Sequence, residues 1–228
     1  MKKALEKFQT FWLEDLSFVV LLLMLFLVVF ITPVIMDNSK EGILLYNTIL
    51  LSVFFSGIFS TRNKWMMLIS GSLFMIHCIL RLVRFSDNPF SFYVLENVIA
   101  ILNTIVFITI NVRLLFRDDS VNMYRIIGGV NVYLLLALMG ALAFEIINAV
   151  TGVSIAGPIT LTGSDQDYVH FIYFSLVSLT TVGFGDIHPV SVETKMLSVF
   201  LSMLGILFPA VIIAKLVGLS ANSSKKID

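Results

Sequence analysis

The stretch "SLTTVGFGDIHP", Ser178–Pro189, interrupts a run of apolar sequence with two glycines, three hydroxyls and an aspartate. Glycines this close together weaken a helix. Main chain that is not helical is tolerated at membrane depth only where protein buries it or where it lines a watery cavity. Whether the loop lies at membrane depth depends on what surrounds it.

The surroundings are those of a membrane protein. Of 228 residues, 58% are hydrophobic and only 13% charged, with a mean hydropathy of +0.97. Ordinary soluble domains carry about 25% charged residues, so this chain lacks the polar surface to remain in water. Its formal net charge is zero, which removes bulk attraction to nucleic acid. The single cysteine, Cys78, lies in an apolar run and excludes an intrachain disulfide. The three histidines, at 77, 170 and 188, lack metal-ligand spacing. With no nucleotide-binding loop or nucleophile–base pair either, no enzymatic activity and no resident cofactor are expected.

A bilayer core of about 30 Å takes about 20 apolar residues in a helix. Six segments meet or approach that length: 16–36, 42–61, 65–85, 92–116, 126–150 and 194–218. The first follows Lys2, Lys3 and Lys7 like a secretory signal, but it is too long for one and lacks a small-residue cleavage site. Residues 1–15 place Leu5, Phe8, Phe11 and Trp12 on one helical face, suiting either a helix on the cytoplasmic membrane surface or an unstructured tail. Between the last two spans lies "YVHFIYFSLVSL", twelve residues that rise about 18 Å and are too short to cross. This is read as a re-entrant segment, with the loop returning from mid-membrane. The fold class is therefore all-α: six transmembrane helices, a re-entrant helix and a loop.

Lysine and arginine set the orientation. With both termini cytoplasmic, Lys2, Lys3, Lys7, Arg62, Lys64, Arg113, Arg117, Arg125, Lys215, Lys225 and Lys226 fall inside, against Lys40, Arg81, Arg84 and Lys195 outside. Arg81 and Arg84 need accommodation at the outer end of the third helix, by snorkelling or by pairing with Glu96. The four expected regions are an N-terminal segment 1–15, a four-helix membrane domain 16–119, a two-helix domain with the loop 120–220, and a cytoplasmic tail 221–228.

Gly183 and Gly185 can take the positive φ that other residues resist. Alternating the sign of φ along a short run turns successive carbonyls to one side, with Val182 and Phe184 packed behind. Such a ladder of oxygens suits a dehydrated cation. "TTVGFGD", Thr180–Asp186, resembles the selectivity-filter signature of tetrameric potassium channels with six transmembrane helices, of the voltage-gated-like superfamily. The resemblance extends over about 126–218. It implies that the carbonyls of Thr181, Val182, Gly183 and Phe184, with the Thr181 hydroxyl, replace the water shell of K+, and that Gly185 completes the filter. One chain supplies one of four loops around the ion, so a homotetramer in membrane lipid is implied. Thr180, Asp186, Tyr173 and Glu145 are implied as filter support. Tyr173 takes the place of a tryptophan that braces the filter and would hydrogen-bond Asp186; Glu145 resembles a glutamate tying the fifth helix to the outer mouth.

Gly205 lies 22 residues beyond Gly183, the offset of the hinge glycine in related channels, and Pro209 removes the N–H that Gly205's carbonyl would accept. Together they read as a hinge, or Gly205 permits close helix packing. The paired-proline motif of voltage-gated relatives is absent. Ile213 and Val217 follow Pro209 on one face and are candidates for an apolar gate that closes by dewetting.

The fourth span carries no basic residue before Arg113, whereas voltage-sensing helices carry several arginines through the field. Strong voltage gating is not expected. Asn47, His77, Asn97, Asn103 and Asn111 are read as hydrogen-bonding between helices, with a ligand pocket among them as the alternative. The function expected is passive, potassium-selective transport, with a nonselective cation channel or a nonconducting regulatory subunit as alternatives.

Overall fold

The computed structural model describes residues 17–36, 40–58, 63–84, 92–116 and 123–224. The amphipathic reading of residues 1–15 lies outside them, as do most of the short connections and the end of the tail.

Helix α1 runs Ser17–Phe26, passes through a π-helical stretch Leu27–Ile31 and ends as Thr32–Ile35. The cause is Pro33. It has no N–H, and its ring crowds the carbonyl four residues earlier, so the helix widens there. The Thr32 N–H and hydroxyl both donate to the carbonyl of Leu27, the hydroxyl at 2.8 Å. Helices α2 (Lys40–Ile58), α3 (Lys64–Arg84) and α4 (Tyr93–Leu115) complete a bundle. Helix α5 (Met123–Thr151) packs against α1 and α4. Helix α6 (Tyr168–Leu179) is the twelve-residue segment "YVHFIYFSLVSL" in full, and α7 (Val192–Ser224) is the last helix.

By length and apolarity α1, α3, α4, α5 and α7 can cross a membrane. The apolar part of α2, Gly42–Ile58, is shorter, rising about 25 Å. The all-α class stands as expected; five of the six expected spans are long and apolar enough to cross, and α2 falls short of that length. Strand is confined, among the described residues, to a two-stranded ribbon: β1 (Ile155–Ala156) pairs antiparallel with β2 (His188–Pro189).

Burial is uneven along the chain. In α5, 67% of the spanning residues are buried within the chain; in α7 only 11% are. The core runs from Leu25 and Val28 through Phe54, Phe107, Leu135 and Leu142 to Tyr168 and Phe171. The Tyr168 hydroxyl reaches across it to donate to the carbonyl of Val28 at 3.0 Å. That one bond satisfies a phenol that is otherwise fully buried.

The polar residues of the four-helix bundle are only partly as expected. Asn47 donates to Asp165 at 3.2 Å, and Ser70 donates to Asn103 at 3.5 Å, both between elements. Asn111 instead turns back to the Phe107 carbonyl of its own helix at 2.9 Å.

Candidate functional site

The loop 180–186 is set in place from three sides. From within, α6 ends by donating its next three amides backward: Thr180 to the Leu176 carbonyl, Thr181 to Ser178 and Val182 to Val177. From below, α7 and α5 close on the end of α6. Ser202 donates to the Ser178 carbonyl at 2.9 Å, and Tyr133 to the Leu179 carbonyl at 3.3 Å. Ser175 donates to the Ala137 carbonyl at 2.6 Å. Gly140 admits this approach, because a Cβ there would meet the Ser175 hydroxyl at 2.3 Å and Leu201 at 2.7 Å. From above, the β1–β2 ribbon brings Gly157 against Asp186, where a Cβ would stand 2.4 Å from the Asp186 carbonyl oxygen.

Within the loop the sign of φ alternates. Thr181 (59°), Gly183 (58°) and Gly185 (80°) are positive, while Val182 and Phe184 are not. The two glycines behave as their lack of a Cβ allows. Thr181 does not: a β-branched residue resists this region, and it is the lone non-glycine with positive φ among the described residues. Strain of that kind persists where surroundings over-determine it, and here the Thr181 amide is held by Ser178 at 3.1 Å. Among the described residues, no N–H or O–H donates to the carbonyls of Thr181, Val182, Gly183 or Phe184. The side chains of Val182 and Phe184 stand 54% and 71% exposed beside them. The expectation that these rings and branches pack behind the strand is thus unmet within one chain.

Tyr173 donates to Asp186 at 2.7 Å, the contact implied by the resemblance. This bond lowers the Asp186 carboxyl below its ordinary range and raises the Tyr173 phenol. Glu145 accepts from the Tyr93 hydroxyl at the start of α4 and lines the same cavity as Leu161 and Phe171, so it stands between the four-helix bundle and the segment leading into α6. The sequence carried no signal for the bond to Tyr93, because it depends on the way α4 packs against α5.

Gly205 and Pro209 both lie inside α7, which continues as helix through them. A Cβ on Gly205 would stand 1.6 Å from the carbonyl oxygen of Leu179, the close packing that was the alternative to a hinge. Ile213 and Val217 are 61% and 63% exposed on the same helix.

Arg81 and Arg84 do not snorkel. Arg81 Nε meets Glu96 at 2.5 Å, and Arg84 Nε meets the same carboxylate at 3.2 Å. Arg84 also forks onto Asp165, with bonds of 2.8 and 2.7 Å. Pairing with Glu96 was expected; the second carboxylate, across 81 residues, was not. Through it the bundle is fastened to the loop that leads into α6.

Residues 132–220 match a family described as "Ion channel". Over 65 residues the chain is 42% identical to the voltage-gated delayed rectifier potassium channel KCNH5 of Homo sapiens, and equally to those of Mus musculus and Rattus norvegicus. That region is 28% of this chain and 6% of each relative, so the chain spans a small fraction of the length of the curated relatives it matches. No solved structure matches. The ion-channel match takes in most of α5, the loop and most of α7, and it lies among helices long enough to cross a bilayer, as suits a multi-pass membrane protein with an ion-channel segment.

Proposed function

We propose that the chain is one of four identical subunits of a potassium-selective channel that carries K+ passively down its gradient. The observation that carries this reading is the row of four carbonyls, Thr181 to Phe184, that accept no hydrogen bond within the described chain while φ alternates in sign beneath them. Unsatisfied main-chain oxygens are expensive at membrane depth. Four such rows around an axis satisfy one another through the ions between them, each oxygen replacing water. The Thr181 hydroxyl forms the innermost ring, and Gly185 turns the chain outward.

The apolar exposure of α7 supports assembly. Met196, Val199, Phe200, Met203 and Ile206 are each half exposed or more, as suits a helix whose faces meet neighbouring subunits. Val182 and Phe184 then pack against neighbouring α6 helices.

Residues 16–119 form a membrane domain that does not sense voltage steeply, because α4 carries only Arg113, in its last turn, and charge there crosses little of the field. Both termini are cytoplasmic, which leaves Asp186 on the outer side. The gate is an apolar ring at Ile213 or Val217, moved by flexing of α7 at Pro209, beyond the point where Gly205 rests on Leu179.

Purified protein in liposomes tests the reading. Potassium flux should far exceed sodium flux, and Gly183→Ala should abolish it. Equal fluxes indicate a nonselective cation channel; an assembled but silent protein indicates a regulatory subunit.

A further inference from the structure

A groove away from the filter lies between α5 and α7, beside Pro209. Ile126, Val130 and Tyr133 of α5 form one wall, and Phe208, Ile212 and Leu216 of α7 the other. Its volume is about 320 Å³, at the lower end of small-molecule sites. Gly129 keeps it open. A Cβ there would stand 3.6 Å from Ile212, in ordinary contact, and a longer side chain would enter the space.

The lining carries no charge, and its one polar side chain, Tyr133, already donates to the carbonyl of Leu179. A polar occupant would lose its water without finding a partner, which leaves hydrocarbon. Every lining residue falls within Arg125–Thr151 or Val192–Gly218, the stretches able to cross a membrane, so the hydrocarbon at hand is the lipid tail. The groove also faces away from the contacts already assigned. Gly128 lies against the Phe18 ring and Asn131 donates to the Phe18 carbonyl, which turns that side of α5 to α1. At about 100° per residue, Ile126, Val130 and Tyr133 lie on the opposite side of α5. By the same rotation Ile212 and Leu216 lie opposite Met196, Phe200 and Met203, on the side of α7 away from neighbouring subunits. One flank is cationic: Lys215 is exposed one helical turn beyond Ile212.

We propose that this groove holds one acyl chain of a membrane phospholipid, whose phosphate is drawn to Lys215. Pro209, Ile212 and Ile213 belong to one wall, and Tyr133, which supports the base of the loop, to the other. A chain lodged between them resists movement of α7 toward α5. That consequence rests on the flexing of α7 proposed above; the binding does not, and the test reads binding alone.

The full-length protein in detergent is titrated with phosphatidylcholine carrying a diazirine at the end of one acyl chain, irradiated, and mapped by mass spectrometry. Label on the peptides of 126–133 and 208–216 should saturate, while label on the exposed Leu68 and Ile76 of α3 should rise in proportion to the lipid. Gly129→Phe, or Val130→Trp if the first variant elutes as an aggregate, should raise the half-saturating concentration about tenfold, as losing about two buried methylenes would, and leave the α3 label unchanged. Groove label that stays proportional to lipid, or that survives both variants, would overturn the proposal. So would its absence at every concentration, the result of a second copy covering the groove. Unlabelled phosphatidylcholine should compete better than diacylglycerol, which lacks the phosphate; equal competition would overturn the assignment to a phospholipid.

Discussion

Gly205 of α7 rests directly on the carbonyl of Leu179, the residue that ends α6 and leads into the loop. The contact is main chain on main chain, so neither side has a flexible group that can give way. The last helix therefore props the base of the loop, and any movement of α7 at this level is transmitted to Thr180 and Thr181.

Gly205→Ala should disturb that support. Overpacking in a fixed site destabilises by about 1–3 kcal/mol, and here the added methyl falls on a carbonyl oxygen. Gel filtration and thermal unfolding should show a less stable assembly. An assembly of unchanged stability with altered open probability would favour the hinge over the packing role.

Replacing Glu96 by alanine should be more damaging. It leaves Arg81, 5% exposed, without its partner and Arg84 with half of its pairing. Breaking a buried ion pair from one side destabilises by about 3–5 kcal/mol. The measurement is the melting temperature of the purified protein, and a loss no larger than that of an exposed lysine replaced by alanine would contradict the buried network.

Tyr173→Phe should hasten the decline of conduction during sustained opening, because Asp186 loses its donor. The pH dependence has a definite sign. The Asp186 carboxyl is lowered by this bond, so its contribution is present above the ordinary carboxylate value of about 3.9 and is lost only as pH falls through the lowered one. The two proteins should differ by a constant amount between pH 5 and pH 8 and converge in stronger acid. Identical time courses at neutral pH would remove Asp186–Tyr173 as a brace.

Ile213→Asp should raise resting flux, since a charged ring resists the dewetting that closes an apolar constriction. Liposome flux without any stimulus reads this directly; flux equal to that of the unaltered protein would place the gate elsewhere.

Much of this arrangement is legible in the sequence because it rests on local rules. The twelve-residue α6 follows from its apolar length, and the left-handed positions at Gly183 and Gly185 follow from the missing Cβ. Pairing of Arg81 with Glu96 follows from the expense of an unpaired charge in a membrane. What sequence could not give is long-range. The Arg84–Asp165 fork joins residues 81 apart, and Glu145 met Tyr93 because of how two helices pack. Thr181 was hidden for another reason: its positive φ opposes its own preference and is imposed by the end of α6.

The most direct test is an experimental structure with rubidium or thallium in place of potassium, read by anomalous scattering. Peaks on a four-fold axis, spaced between the carbonyls of Thr181, Val182, Gly183 and Phe184 from four chains, are the predicted result. A monomer, or an assembly whose axis carries no ion while those carbonyls bond to protein, would contradict it.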